Sequence, residues 1–396
     1  MDTFYNRIAR YTRLASCVVL AMTFLALMVF VGQSHAATVA NGQNGQNGQN
    51  GQSGQNGQSA PPANNGGAGT CTSMYVNGLA LAAGQPANNR VYGELCNPRH
   101  GASQTVELLV AGLTYDYQYW DWPSTAQDPQ GSQDYSAVRY FTGYYSPAGI
   151  GYSTFSIDRI GIGLSSHPVS TDVNMASNTY ILHQIVSRLK AGSIGNTKFP
   201  RVLLIGHSFG SRVSLTEAAT YHDVNGVVLT GALHNQNPNV MTIAPAIEAS
   251  SDPAFASMNL DSGYLTDGPG SIQAAFYYMP GTYSDPNVIA YNNQIKQTMT
   301  VSELVDLKTA LTSTLSRQIN VPVLLVVGQN DMLSCVNAVN CSSAATVYQE
   351  EAPFYSPQAQ LQVHVIPNTG HDLNLHYSAH TTYATIMTWA LAHVAP

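Results

Sequence analysis

A serine flanked by two glycines closes an apolar run, Val202-Leu-Leu-Ile-Gly206-His-Ser208-Phe-Gly210-Ser211, and a helical pattern follows at once. A serine hydroxyl is a weak nucleophile at neutral pH, so it needs a base, and the base needs a partner that fixes its tautomer. Two later apolar runs end in groups of the right type. Val321 to Val327 leads into Gly328-Gln-Asn-Asp331, and Leu361 to Ile366 leads into Pro367-Asn-Thr-Gly370-His371. The order Ser, Asp, His, each at the end of a strand-like run, is that of a nucleophile held on a sharp strand-to-helix turn. Each residue has a plainer reading. G-x-S-x-G also occurs in ordinary turns, Asp331 suits a turn at a strand end, and His376 competes with His371. Asp372 adjoins His371 and cannot easily reach round to it.

The elements that must carry these groups alternate. Short strands at Ser73 to Leu81 and Arg90 to Leu95 flank a Gly/Pro/Asn turn and read as a hairpin over a sheet edge. Thr105 to Ala111 is a near-continuous apolar run, expected of a strand covered on both faces. Ser153 to Ile157 is another strand, Tyr180 to Leu189 has helical spacing, and Val224 to Leu229 follows the Ser208 unit. From Asn235 to about Ile319 the rhythm breaks in a Tyr-, Asn-, Pro- and Met-rich insertion with a helical stretch at Val301 to Leu315. Alternation then resumes and closes with a helix from about His380 to Val394. Strand-helix alternation implies an α/β fold with a mainly parallel central sheet, helices on both faces and the insertion as a cap.

Only 9% of the 396 residues are charged. With no basic stripe to neutralise phosphates, a nucleic-acid partner is not expected. Residues 1–36 read as a signal peptide: Arg7, Arg10 and Arg13, an apolar stretch from Leu14 to Val31, and the small-x-small site Ser34-His35-Ala36. Cleavage removes three Arg and one Asp and takes the formal charge from −7 to −9. The alternative is an uncleaved anchor, because the apolar stretch nears the length that spans a bilayer. Residues 37–70 repeat Asn-Gly-Gln with serine substitutions, without charge or aromatic residue, and read as a disordered linker. The folded part then covers 71–396. Cys17 leaves with the signal, and an even set remains, Cys71, Cys96, Cys335 and Cys341; in an oxidising compartment this suggests two disulfides, with the near pairs favoured. A secreted or periplasmic location follows, with no stable membrane span after cleavage.

Four motifs in order resemble the α/β-hydrolase superfamily over roughly Cys71 to Val394: Gly206-His-Ser-Phe-Gly210, Gly328-Gln-Asn-Asp331, Gly370-His371, and Asp158-Arg-Ile-Gly161-Ile-Gly163-Leu-Ser165. The resemblance implies Ser208 as nucleophile, His371 as general base and acid, and Asp331 as the orienting carboxylate. It also implies an oxyanion hole from the N–H of Phe209 and one from the loop Gly112-Leu113-Thr114, with Leu113 the donor and Thr114 the fallback. Many relatives carry His-Gly at that loop, where this chain has Ala111-Gly112. Thr114, Tyr115 and Trp120, in the aromatic stretch after it, are candidates for the substrate pocket, or for packing between cap and core. Asp158 and Arg159 read as loop ties. Gly161 and Gly163 do not form a dinucleotide site, since Ser166 replaces the third glycine, and the histidines lack a zinc-binding pattern. No cofactor or metal is expected.

The resemblance implies a serine hydrolase acting on a carboxylic ester, small or lipid-like, through an acyl-enzyme. An acyltransferase or lyase on the same triad, or a non-catalytic envelope protein with this fold, are the alternatives. The oligomeric state is not legible.

Overall fold

The computed structural model describes residues 69–396 except 124–133, 145–148, 150, 240–241, 243, 279–282 and 311–313. The signal segment and nearly all of the linker lie outside the described residues.

An antiparallel hairpin of β1 (Cys71–Leu79) and β2 (Asn89–Cys96) opens the fold. Cys71 and Cys96 face each other in its register and form a disulfide across its open end. β3 (Thr105–Val110) is wholly buried, as its near-continuous apolar pattern predicts, with Thr105 and Glu107 buried among the apolar residues. Then come α1 (Ala137–Gly143), β4 (Ser153–Ile157) and α2 (Met175–Ala191). α2 starts five residues before the predicted stretch, because Asn174 and Ser177 close a reciprocal cap and Ser177, Asn178 and Thr179 are buried despite their polarity. Gly192, at φ 80°, ends it in the left-handed conformation that glycine adopts without strain.

β5 (Arg201–His207) passes directly into α3 (Phe209–Tyr221), and β6 (Gly226–Thr230) follows. The next segment forms a separate three-stranded antiparallel sheet of β7 (Ala246–Glu248), β8 (Tyr264–Asp267) and β9 (Thr298–Thr300), interleaved with α4 (Ser271–Phe276) and α5 (Pro286–Ile295) and followed by α6 (Val301–Ala310). The chain returns to the main sheet with β10 (Val323–Gly328), α7 (Ala344–Glu351), β11 (Gln362–Ile366) and α8 (Ala379–His393).

The main sheet has eight strands in the order β1-β2-β4-β3-β5-β6-β10-β11. The six strands from β4 to β11 run parallel and only β2 runs against them, pairing antiparallel with both β1 and β4, so the fold is α/β with a mainly parallel sheet. Two buried clusters cover it. One joins Ile181, Ile185 and Leu189 of α2 and Val213 of α3 to Val106, Leu108, Val202 and Leu204. The other joins Tyr383, Ile386 and Met387 of α8 to Leu109, Leu203, Ile205 and Val326. Alternate residues of one strand thus face opposite helix layers, the two-sided covering that parallel strands require. The parallel strands all deliver their C-terminal ends to one edge, which gathers Ser208, Asp331 and His371.

Candidate active site

Ser208 is the pivot between β5 and α3, at φ 54° and ψ −118°. An L-residue with positive φ stores roughly 1–3 kcal/mol of strain and persists where its surroundings over-determine it. Here the surroundings are tight. A Cβ on Gly206 would meet the backbone of Gly210 and Ser211 at about 2.5 Å, and one on Gly210 would strike the carbonyls of Val110 and Ala111 at the end of β3. The Ser208 N–H donates to the Thr230 carbonyl of β6 at 2.8 Å. Both glycines of the pentapeptide are therefore required by close backbone approach.

His371 places Nδ1 2.9 Å from Oδ2 of Asp331, and both residues are buried. The other oxygen of Asp331 accepts the backbone N–H groups of Leu333 at 2.8 Å and Ser334 at 3.1 Å. The carboxylate so fixed makes Nδ1 the protonated nitrogen of a neutral imidazole, and Nε2, which has no hydrogen-bond partner among the described residues, the basic one. Burial opposes the imidazolium form. The charge of Asp331 and its hydrogen bond outweigh that, with help from Asp372, and hold the His371 pKa above its ordinary value. The Cys335–Cys341 disulfide closes the turn behind Asp331, where the Cys335 and Val336 N–H groups donate to the Asp331 carbonyl.

A second polar network lies behind these groups. His207 Nδ1 lies 3.1 Å from the Thr230 hydroxyl, which itself donates to the Gly206 carbonyl, so Nδ1 is the donor. Nε2 of His207 faces Oδ1 of Asp372 at 3.3 Å. Burial pushes the Asp372 carboxyl up to about 6 and drives His207 well below its ordinary value. Asp372 takes its other bond from the Tyr115 hydroxyl at 2.5 Å. The residue beside His371 thus serves a different histidine. His376 is also occupied: Nδ1 donates to the Asp372 carbonyl at 2.7 Å and Nε2 accepts the N–H groups of Gly370 and Tyr278, both at 3.0 Å. Neither the contacts of Asp372 with His207 and Tyr115 nor the demand on Gly231 was signalled by the sequence. Gly231, at φ 62°, leaves no room for a Cβ, which would meet His207 Cε1 at 3.0 Å and His371 Nδ1 at 3.2 Å.

Ser208 and His371 line one narrow cavity with about 70 Å³ of room for water. Its walls are mostly apolar: Leu113, Phe276, Met299, Leu304, Leu307 and Leu333. Thr114 and Tyr115 also line it, so the loop after β3 does reach the serine. Gly112 lies so close that a Cβ there would stand 3.0 Å from Ser208 Cβ. Trp120 needs correction. It is fully buried and sits edge-on to Tyr119 at 5.1 Å within the packed aromatic layer, so it lines no part of the cavity. Phe209 is likewise buried, and its ring lines no part of the cavity. Asp267 of β8 is the acidic group in the wall; burial raises its carboxyl to about 6.

Among the described residues one group has metal-ligand character: His183, Glu217 and Asp223, with ligand atoms within 4.8 Å of one another. It lies on α2, α3 and the turn after α3, contributes nothing to the cavity, and closes on itself through a 2.9 Å contact of His183 with Asp223. No helix among the described residues is long and apolar enough to cross a membrane.

Fold and strand-end geometry together define an α/β protein with a serine on a sharp strand-to-helix turn. The profile of the alpha/beta hydrolase family matches residues 108–384, and the chain belongs to that family. No curated protein sequence matches it. Among solved structures, carboxylesterase CesB from Bacillus subtilis is similar over 82% of this chain and 93% of its own, at 15% identity and a TM-score of 0.51. A putative aryl esterase from Burkholderia cenocepacia is similar over 81% and 100%, at 13% identity and 0.49. The Paleococcus ferrophilus monoacylglycerol lipase is similar over 76% and 99%, at 14% identity and 0.49. At these identities the likeness is one of fold.

Proposed function

We propose that the protein is a secreted or periplasmic serine hydrolase that cleaves carboxylic esters through an acyl-enzyme. The observation that carries this reading is the 2.9 Å contact of His371 Nδ1 with a buried Asp331, in a cavity that also holds Ser208 on a strained elbow. In the proposed reaction Ser208 Oγ attacks the ester carbonyl while His371 Nε2 takes its proton. The tetrahedral oxyanion rests on the N–H groups of Phe209 and Leu113, and collapse expels the alcohol, which receives the proton from His371. Water then enters by the mirror of these steps and releases the acid. The apolar walls favour an ester with an alkyl or aryl portion. The segment from Asn235 to Ile319, which supplies Phe276, Met299, Leu304 and Leu307, acts as the cap. Export rests on the basic-then-apolar N-terminus and fits the two disulfides.

The decisive test is hydrolysis of p-nitrophenyl esters of increasing chain length by the purified protein and its Ser208→Ala variant, with labelling by a fluorophosphonate. Loss of both turnover and labelling is expected. A folded Ser208→Ala protein that hydrolyses at the wild-type rate sinks the proposal. Transfer to an added alcohol in preference to water would reassign it as an acyltransferase.

A further inference from the structure

We infer that Arg159 and Glu303 form a buried clamp that sets the oxyanion loop, so that the cap helix carrying the pocket wall also controls transition-state stabilisation. The inference rests on the triad reading above and names residues that reading does not use.

Arg159 is buried, with a side chain 2% exposed, and every arm of its guanidinium is engaged. Nε donates to the Ala111 carbonyl and Nη2 to the Gly112 carbonyl, both at 3.0 Å. Nη1 meets Asn178 Oδ1 at 3.1 Å and Glu303 Oε1 at 2.5 Å. The two carbonyls belong to the peptide planes whose N–H groups are those of Gly112 and Leu113. In a trans peptide the C=O and N–H point in opposite directions. A planar fork that draws both carbonyls to one side therefore turns both N–H groups to the other. A Cβ on Gly112 would stand 3.0 Å from Ser208 Cβ, so the loop packs against the serine, and the proposal assigns that other side to it. The guanidinium carbon also sits 4.9 Å from the ring centroid of Phe209, whose N–H is the second proposed donor. One cation thus touches both halves of the oxyanion hole from behind without entering the cavity.

Glu303 is what keeps a cation there. An unpaired buried charge is strongly unfavourable, and the Glu303 side chain, 1% exposed, supplies the counter-charge. Its other oxygen accepts the Thr300 N–H at 3.0 Å while the Thr300 hydroxyl accepts the Glu303 N–H at 3.1 Å, a reciprocal cap at the start of α6. The next residues on that helix, Leu304 and Leu307, line the cavity. The helix that meets the substrate's apolar part is consequently bonded, through Glu303 and Arg159, to the peptides that meet its developing charge. Arg159 is a positioning residue: it acts through the Leu113 peptide.

The test uses the full-length protein with Arg159→Lys, which keeps the charge but not the two-pronged reach. Steady-state kinetics on a p-nitrophenyl ester are paired with inhibition by an alkyl trifluoromethyl ketone, to which Ser208 adds to give a hemiketal oxyanion. Loss of an aligned donor lowers kcat by at least about tenfold. KM should stay within about twofold, since ground-state contacts are intact, while the ketone's inhibition constant should rise in step with the fall in kcat. A merely structural role would lower melting temperature without that parallel. Should Arg159→Lys not fold, Glu303→Gln decides: it keeps the cap to Thr300, and a smaller fall in kcat with a matching, smaller rise in the inhibition constant is expected. A folded variant with wild-type kcat and inhibitor affinity overturns the proposal. If Ser208→Ala is itself fully active, the triad reading falls and this proposal with it; if Ser208→Ala is dead and the clamp variants are not impaired, the clamp alone is wrong.

Discussion

Asp331 meets His371 through one oxygen and the backbone N–H groups of Leu333 and Ser334 through the other, so a carboxylate 40 residues away fixes which imidazole nitrogen is basic. Replacing it with Asn keeps the shape and lets the amide donate to Nδ1, which leaves the wrong tautomer. Asp331→Asn should lower kcat by roughly 10³–10⁴-fold with little change in KM. Steady-state kinetics beside a thermal melt check this; a kcat within tenfold of wild type would remove Asp331 from the mechanism.

The pH profile follows from the same contact. His371 must be neutral to act as base, and its pKa is held above the ordinary value. Activity as kcat/KM should therefore fall as pH drops through an inflection above about 6.5. In Asp331→Asn the support is gone while the burial remains, so the His371 pKa should move below the ordinary value. Proton NMR of the imidazole in both proteins reads the shift, and an unchanged titration would contradict the assignment.

The two disulfides should separate stability from activity. By the chain-entropy estimate the 25-residue span from Cys71 to Cys96 is worth about 3–4 kcal/mol, and the shorter loop from Cys335 to Cys341 about 2 kcal/mol. Yet only the second closes the turn that presents Asp331. Paired Cys→Ser replacement at 71 and 96 should cost more stability and leave kcat near wild type, whereas the pair at 335 and 341 should cost less stability and lower kcat several-fold. Urea unfolding with kinetics distinguishes the two, and the reverse ranking in kcat would refute the link.

Glu217 of α3 is fully buried, and burial lifts its pKa to about 7 against the pull of His183. Because the folded-state value lies above the unfolded one, the native state binds more protons between about 4.5 and 7, and stability falls as pH rises through that window. Glu217→Gln removes the group. Relative to wild type the variant should gain up to roughly 3 kcal/mol on going from pH 5 to pH 8, seen in urea midpoints; parallel curves for the two proteins would show that Glu217 does not titrate there.

The strand-end residues were legible because each sits behind a short apolar run of the length a buried strand needs. β4 matched its predicted span, and the other predicted strands differed at their ends by one or two residues, where hydrogen bonding and not hydrophobicity sets the limit, while β7, β8 and β9 of the insertion had no predicted counterpart. The start of α2 was missed because its first turn is polar and its cap is read from two side chains meeting. Trp120 was misplaced since an aromatic residue after the oxyanion loop packs inward as readily as it lines a pocket. Arg159 and Glu303 lie 144 residues apart, and nothing local in either stretch announces that they pair.

The insertion between β6 and β10 is continuous in sequence, while Ser208, Asp331 and His371 all stand on main-sheet strand ends outside it. On the proposed function, the part of the wall made by Phe276, Met299, Leu304 and Leu307 is therefore a cassette: a different segment grafted between Thr230 and Val323 would change the ester accepted without moving Ser208, Asp331 or His371. The graft has one address label. Any replacement must return a carboxylate to the place of Glu303, or leave Arg159 a stranded cation beneath the loop it holds.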